Sequence, residues 1–139
     1  MRQFRGDLKV RAQRSPLTEI TAPVRERVVE SGIRDGLCTI FIQHTSASLT
    51  IQENADPSAR RDLERFLAKI APEGDPAYEH TAEGPDDMPA HLRSALTATT
   101  LGVPVAQGDL ALGTWQGIFL WEHRRGAPER RVLIHIIGE

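Results

Sequence analysis

The sequence contains one cysteine and no long apolar run, and each of these scarcities excludes a class of protein. Cys38 has no partner for an intrachain disulfide, so a disulfide framework is excluded and a reducing compartment is expected. No segment approaches the roughly 20 apolar residues that span a bilayer, and the first residues lack the apolar stretch of a signal peptide. We therefore expect a cytoplasmic protein with no membrane partner.

The chain also lacks a strong net charge. Its 17 basic and 19 acidic residues leave a formal charge of −2, so no positive field of the whole chain would hold nucleic acid. Only Lys9 and Lys69 are lysines, and the arginines that dominate the basic residues suit bidentate contacts with carboxylates or phosphates. We expect no nucleic-acid partner.

Length and composition are those of one globular domain, with 139 residues of which 40% are hydrophobic and 26% charged. We expect a single domain over residues 1–139. Alternation predicts a first strand with one wet face, and an apolar β-branched run at 37–43 predicts a strand that is buried on both faces. Further strands are predicted at 103–106, 110–112, 117–123 and 131–137.

Three helices are predicted between the strands. Thr21 and Pro23 mark the start of the first, which Gly32 ends. Asp56 and Pro57 mark the start of the second, and the third is predicted at 90–100 with Pro89 in its first turn. Strands at both ends with helices between them imply an α+β fold with a mostly antiparallel sheet.

A histidine and several hydroxyl residues follow the apolar strand. His44 stands at the strand exit, where a ligand can reach a side chain, and the hydroxyls of Thr45 and Ser46 come next. These hydroxyls are candidates for substrate binding, although hydroxyls after a strand also satisfy the amides of turns. His44 is therefore a stronger candidate for a site residue than these hydroxyls.

The start of the second helix offers a possible anion site. Glu53 and Asn54 precede it, where free backbone amides and the helix dipole favour a phosphate. Asp56 is better explained as the helix cap. We therefore take Glu53 and Asn54 as site candidates.

Two histidines and three carboxylates fall within twelve residues, in a proline-rich stretch with few structural signals. They are His80, Glu83, Asp86, Asp87 and His91. Imidazole and carboxylate are the ligand types of a first-row metal, and they also form a general base with its orienting acid. The spacing matches no standard zinc motif, and a solvated acidic loop that ends in a helix cap is the alternative.

A glycine-flanked segment near the C-terminus completes the candidates. Thr114, Trp115 and Gln116 lie between two glycines, which allow close backbone approach, and Trp115 offers a flat face for stacking. By contrast, Trp121 and His135 are predicted to lie in the core, whereas the position of His123 is ambiguous.

In combination these blocks resemble the YjbQ-like family, also called the secondary thiamine-phosphate synthase family, over nearly the whole chain. The residues that carry the resemblance are His44-Thr45-Ser46-Ala47-Ser48-Leu49, Glu53-Asn54-Ala55-Asp56-Pro57, the runs 83–91 and 112–117, Glu122-His123-Arg124 and Gly138-Glu139.

The resemblance implies an antiparallel β-sandwich with packed helices, assembled as a homotrimer with the pocket near subunit contacts. It implies that His44, His80 and His91 are site residues and ligands of a divalent metal, zinc or magnesium. In another branch of the family a further histidine stands at the position of Pro89, and Asp86 or Asp87 is the available replacement.

The family name implies an activity that joins hydroxymethylpyrimidine diphosphate to thiazole phosphate. Under that hypothesis His44 and His91 act as general acid and base or bind a metal, Glu53 and Asp86 orient them, and the ligand is a small phosphorylated molecule. The substrate contacts would come from Thr45, Ser46, Asn54, Glu83, Asp87, Thr114, Trp115 and Gln116. The alternative is a noncatalytic trimeric module that binds a metal or a metabolite.

Overall fold

Eight strands and three helices make up the chain, which a computed structural model describes over residues 1–139. The strands are β1 (Arg2–Val10), β2 (Leu17–Glu19), β3 (Gly36–Ile42), β4 (Ala47–Glu53), β5 (Thr100–Ala106), β6 (Asp109–Leu110), β7 (Gln116–Glu122) and β8 (Arg130–Gly138). The helices are α1 (Thr21–Ser31), α2 (Pro57–Ile70) and α3 (Asp87–Leu96). None of these helices combines the length and the apolar character needed to cross a membrane.

The strands form two sheets in which every pairing is antiparallel. One sheet has five strands in the order β1-β8-β3-β5-β6, and the other has three in the order β2-β7-β4. The predicted α+β fold with antiparallel strands is therefore confirmed.

Apolar side chains from both sheets and from α1 share one core. The largest members that are fully buried include Ile40, Leu49, Ile118 and Ile134. Strand β7 is buried on both faces, because its other face packs Phe119 beneath α2. Trp121 belongs to this second cluster, as predicted.

The helix boundaries follow local chemistry. Helix α1 ends at Gly32, which adopts the left-handed conformation with φ 66°. At α2 the Asp56 carboxylate accepts from the Ser58 amide, and Pro57 occupies the first turn, as predicted. Helix α3 begins three residues earlier than predicted and ends at Leu96.

The prediction for β3 was wrong in one respect, because only one of its faces is buried. Cys38 and Ile40 lie in the core, whereas Leu37 and Phe41 are 44% and 42% exposed. Alternate side chains of a strand point to opposite faces, and only one face of the five-stranded sheet meets the core. The same alternation places His135 on the outward face, half-buried beside Gln3, so its predicted core position was also wrong.

Candidate metal centre

Four potential metal ligands converge where the loop before α3 meets the first turn of that helix. We call them the His-acid cluster: His80, Glu83, Asp87 and His91, whose ligand atoms all lie within 4.8 Å of one another. Because α3 begins at Asp87, that residue and His91 stand four residues apart, one turn along the same side of the helix. The preceding loop carries His80 and Glu83 to them.

The two imidazoles point at a single carboxylate oxygen. Asp87 Oδ2 lies 2.7 Å from His80 Nε2 and 3.2 Å from His91 Nε2. The two rings meet edge to face with their centroids 5.3 Å apart. Glu83 Oε2 stands 3.8 Å from His80 Nε2 and completes the group.

A backbone contact fixes the orientation of His91. Its Nδ1 lies 3.0 Å from the carbonyl oxygen of Thr45, which can only accept a hydrogen bond. Nδ1 therefore carries a proton, and in the neutral ring Nε2 presents its lone pair to the cluster. Two acceptors, this lone pair and Asp87 Oδ2, then face each other at 3.2 Å, an arrangement that a proton or a cation between them would satisfy.

Arg124 holds Asp87 and the adjoining loop in place. It donates from Nη1 to Asp87 Oδ1 at 2.5 Å, from Nε to Asp86 Oδ2 at 3.0 Å, and from Nη2 to the Glu83 carbonyl oxygen at 3.0 Å. The hydrogen bond to Asp86 is the main reason that the pKa of Arg124 is raised. This guanidinium fastens the loop and leaves Asp87 Oδ2 free for the imidazoles.

Asp87 is ionised despite its burial. Its side chain is only 2% exposed, and burial alone would raise its pKa. The hydrogen bond from His80, together with the positive charge of Arg124, outweighs that effect, so the pKa of Asp87 lies below its usual value. Burial also acts on Asp86, where bonds from the Arg125 amide and Arg124 lower the pKa overall.

The helix side of the His-acid cluster is more buried than its loop side. His91 is 30% exposed, but His80 and Glu83 are 51% and 66% exposed. A shallow cleft of about 490 Å³ borders His80 and is lined by Tyr78, Thr81 and Met88, among others. A small ligand from solvent can therefore reach the loop side of the cluster.

The structure places His44 outside the His-acid cluster. Its Nε2 accepts from the Arg131 amide at 2.9 Å, and Arg130 Nη1 lies 3.3 Å from its Nδ1. Burial, with the charge of Arg130, lowers the pKa of His44. Both ring nitrogens are turned to donors of β8, so neither is presented to the cluster.

A buried ion pair lies between His44 and the cluster. Arg130 and Glu122 are nearly inaccessible, and Arg130 Nη2 lies 2.5 Å from Glu122 Oε1. The same nitrogen donates to the carbonyl and hydroxyl oxygens of Ser46, and Glu122 Oε1 accepts from the Arg124 amide. The Ser46 hydroxyl is thus held by this network rather than presented to a substrate.

The other predicted site residues lie in local structural contacts. The Glu53 carboxylate accepts from the Asp56 amide, and Asn54 donates to the Glu19 carboxylate at 3.2 Å. The Gln116 side chain accepts from the Gly113 amide at 2.8 Å. Exposed side chains are those of Thr45, Thr114 and Trp115, the last at 64%.

His123 is buried against β4. Its Nε2 lies 2.9 Å from the hydroxyl of Ser48, and only 6% of His123 is exposed. Burial, followed by the charges of Arg93 and Arg130, lowers its pKa to about 3. His123 is therefore a neutral core histidine.

Sequence reasoning missed the residues that support the cluster. Glu122 and Arg124 were quoted in a motif but given no role, and Arg130 was not considered. Their only local signal is a charged residue at each end of an apolar strand run, which is common at protein surfaces.

A phosphate site was predicted at the start of α2, but the first backbone amides of this helix are not free to bind a phosphate. Pro57 has no amide hydrogen, and Asp56 itself takes the Ser58 amide. Near the cluster, the guanidiniums of Arg124 and Arg130 are paired with carboxylates. Neither of these two guanidiniums beside the cluster is therefore free to neutralise a departing diphosphate.

Solved structures share this fold. A YbjQ-like protein of unknown function from Sulfolobus solfataricus P2 gives a TM-score of 0.90 at 29% identity, covering 99% of each chain. An uncharacterized conserved protein of the yjbq/upf0047 family from Clostridium acetobutylicum gives 0.85 at 36% identity, covering 94% of this chain and 98% of that one.

The relatives correct the functional expectation. UPF0047 protein sll1880 from Synechocystis is 49% identical over 138 residues, which is 99% of this chain and 94% of the relative. UPF0047 protein YjbQ from Escherichia coli O157:H7 is 48% identical over 104 residues, 75% of each chain. Neither of these names states an activity, and the Sulfolobus protein is of unknown function. The predicted thiamine-phosphate synthase and transferase function was therefore wrong.

Agreement extends over nearly the whole sequence. A family-level profile described as "UPF0047 protein YjbQ-like" matches residues 6–139. The relatives above span bacteria and an archaeon at 29% to 49% identity. The chain belongs to the YjbQ-like UPF0047 family.

Proposed function

We propose that this protein binds a divalent first-row transition metal ion in the His-acid cluster. The observation that carries the proposal is the convergence of two imidazole nitrogens and a buried, ionised carboxylate within one small volume. Two nitrogen and two oxygen donors suit zinc, cobalt or nickel. Magnesium prefers an all-oxygen set, so zinc is the better of the two metals that the resemblance implies.

The spacing of the donors fits such an ion. In a tetrahedral site with bonds of about 2.0 to 2.2 Å, neighbouring ligand atoms lie roughly 3.3 to 3.6 Å apart. The three distances of Asp87 Oδ2 from the two imidazoles and of Glu83 Oε2 from His80, between 2.7 and 3.8 Å, bracket that range, and all four ligand atoms lie within 4.8 Å of one another. Small side-chain movements would therefore make room for the ion.

The surroundings support metal binding as well. Metal-bound histidines commonly donate from their other ring nitrogen to a carbonyl or carboxylate, as His91 does to Thr45. Arg124 orients Asp87 in the same way from the other side. The exposure of His80 and Glu83 leaves the ion able to take a water molecule or a small anion as an exchangeable ligand.

Zinc titration of the chelator-treated protein tests this proposal. We expect one zinc ion per chain by isothermal titration calorimetry, near-complete loss of binding in Asp87→Asn and His91→Ala, and a 10- to 100-fold weaker affinity in Arg124→Gln, the usual cost of losing an orienting partner. His135→Ala is the matched control, because this half-exposed histidine lies outside the cluster. Unchanged zinc affinity in Asp87→Asn would refute the proposal.

We further propose that the chain assembles as a homotrimer through the outward face of its five-stranded sheet. This face exposes Leu37 and Phe41, and the half-buried Leu133 and Ile137 flank them on β8. An uncovered apolar sheet face is typical of a protein interface. The core that the two sheets share supports the sandwich arrangement implied by the resemblance.

Sedimentation velocity tests the assembly. The wild-type protein is expected to sediment as a trimer, and Phe41→Asp is expected to shift it to monomers, because a charge would be buried in the interface. Phe66→Asp is the control, since Phe66 is 62% exposed on α2, away from this sheet. A wild-type monomer, or equal dissociation in both variants, would contradict the proposal.

A further inference from the structure

A groove of about 510 Å³ between the β1–β2 connection and the first turns of α2 holds three arginines. They are Arg14, Arg60 and Arg61. None of the three forms a side-chain hydrogen bond or an ion pair, whereas the arginines around the His-acid cluster are paired with carboxylates. Arg5 and Arg34 are also unpaired, but they do not line this groove. Unpaired guanidiniums that share one concave surface are unusual, because like charges repel.

The groove is held in shape by contacts that leave its cations free. The Arg60 guanidinium carbon lies 5.6 Å from the centre of the Phe119 ring, a cation–π contact that fixes the side chain without neutralising it. Glu64 is the only carboxylate lining the groove, and it accepts the Ser15 hydroxyl at 2.8 Å. The Ser15 oxygen in turn accepts from the Leu17 amide.

The charge in the groove is therefore strongly positive. Three guanidiniums face one carboxylate, in a chain whose overall formal charge is −2. Asp56 stands nearby but caps α2 through the Ser58 amide. A concave site of this sign attracts anions, and guanidinium groups bind phosphoryl oxygens in a bidentate manner.

We infer that this arginine groove binds a small multivalent anion of the phosphate or diphosphate type. The groove is separate from the His-acid cluster, with which it has no lining residue in common. A smaller groove shares Arg14, Ser15 and Pro16 with it and extends to Arg124. The anion is thus bound on the side of the molecule from which Arg124 holds the cluster.

Calorimetric titration with inorganic pyrophosphate, at an ionic strength matched with sodium chloride, tests the inference. The titration uses full-length protein with the Asp87→Asn substitution, so that no metal in the cluster can take the anion. We expect saturable binding that weakens on the order of 100-fold in Arg14→Gln/Arg61→Gln, about tenfold for each charge-assisted hydrogen bond that is removed. Arg14→Lys/Arg61→Lys is expected to bind with intermediate affinity, because it retains both charges but loses the bidentate geometry of the guanidinium.

The control is Arg5→Gln/Arg34→Gln, which removes the same charge from two unpaired arginines outside the groove. Its affinity is expected to stay within about threefold of the parent, since distant surface charges are screened by salt. An equal loss in the control would show a nonspecific charge effect and overturn the inference. So would the absence of saturable binding in the Asp87→Asn parent, or binding that only the protein with an intact cluster shows. Failure of zinc binding would leave this result unchanged.

Discussion

The state of single residues is set by what their atoms can donate or accept. His91 and His123 are both partly or fully enclosed histidines, yet a carbonyl beside one and a hydroxyl beside the other give them different roles. The carbonyl of Thr45 fixes a tautomer and frees a lone pair for the cluster. The Ser48 hydroxyl can donate or accept and so fits either tautomer, and burial, followed by the charges of Arg93 and Arg130, keeps His123 neutral.

His123 makes stability depend on pH. Its pKa of about 3 in the folded chain lies below the ordinary 6.5, so the unfolded chain binds more protons as the pH falls. The contribution of neutral His123 to the free energy of unfolding should be fully present above about pH 6.5 and should be lost as the pH falls towards 3. Between pH 6.5 and 4.5 we expect a loss of about 1 to 3 kcal/mol in the free energy of unfolding.

Urea unfolding of the wild type and of His123→Gln at these two pH values measures the effect. The variant should be less stable at pH 6.5 but should lose less stability on acidification, because glutamine does not titrate. His135→Gln provides a comparison, since His135 is half-exposed. Identical pH dependence in the wild type and His123→Gln would show that the proton is taken up elsewhere.

Among the elements, strands β3 and β8 approach each other closely at a pair of glycines. Gly36 and Gly138 stand opposite each other in the register. A Cβ atom added to Gly138 would come within 2.1 Å of the Asp35 carbonyl oxygen, and one added to Gly36 would reach the Ile137 carbonyl oxygen. Because these obstacles are backbone atoms, no side-chain rotation can relieve the clash.

Gly138→Ala should therefore destabilise the fold by about 3 kcal/mol, at the upper end of the cost of overpacking. Chemical denaturation measures the loss. Gly126→Ala serves as the control, because a Cβ at Gly126 meets nothing within 4 Å. A Gly138→Ala protein as stable as the control would mean that the two strands can separate at little cost.

Which elements could be predicted depended on how local their signals are. Helix α2 begins with an aspartate cap and a proline, both readable from neighbouring residues. Helix α3 was placed three residues late, because Pro89 was expected in its first turn and the helix was predicted only from about residue 90. Proline is tolerated throughout the first turn, where amides have no acceptor within the helix, and Pro89 occupies the third position.

Strand β4 was missed for a different reason. Its hydroxyl residues fit a turn as well as a strand, and pairing with β7, more than 60 residues away, decides between them.

The residues of the candidate site also differ in whether local or distant parts of the sequence reveal them. The cluster ligands lie within twelve residues and were all identified, but Arg124 and the Thr45 carbonyl reach them only through tertiary structure.

At the scale of the whole molecule, the proposed metal site would link ion binding to folding. A ligand that binds only the folded chain stabilises it by about 2.7 kcal/mol at 100 times its dissociation constant. For a chain of 139 residues this corresponds to a rise of about 10 °C in the melting temperature. Zinc should therefore shift thermal unfolding of the wild type by about that amount.

Differential scanning calorimetry with and without zinc measures this shift. Asp87→Asn should show none, whereas His135→Ala should behave as the wild type does. If zinc raises the melting temperature of Asp87→Asn as much as that of the wild type, the stabilisation arises at another site.

The uneven exposure of the cluster also bears on kinetics. Asp87 and His91 belong to a helix whose first turn is fastened by Arg124, while His80 and Glu83 come from the loop. A bound ion could thus dissociate one ligand at a time, first from the loop residues and last from the helix residues. Exchange with a chelator would then proceed far faster than global unfolding, and its rate would follow the loop rather than the stability of the core.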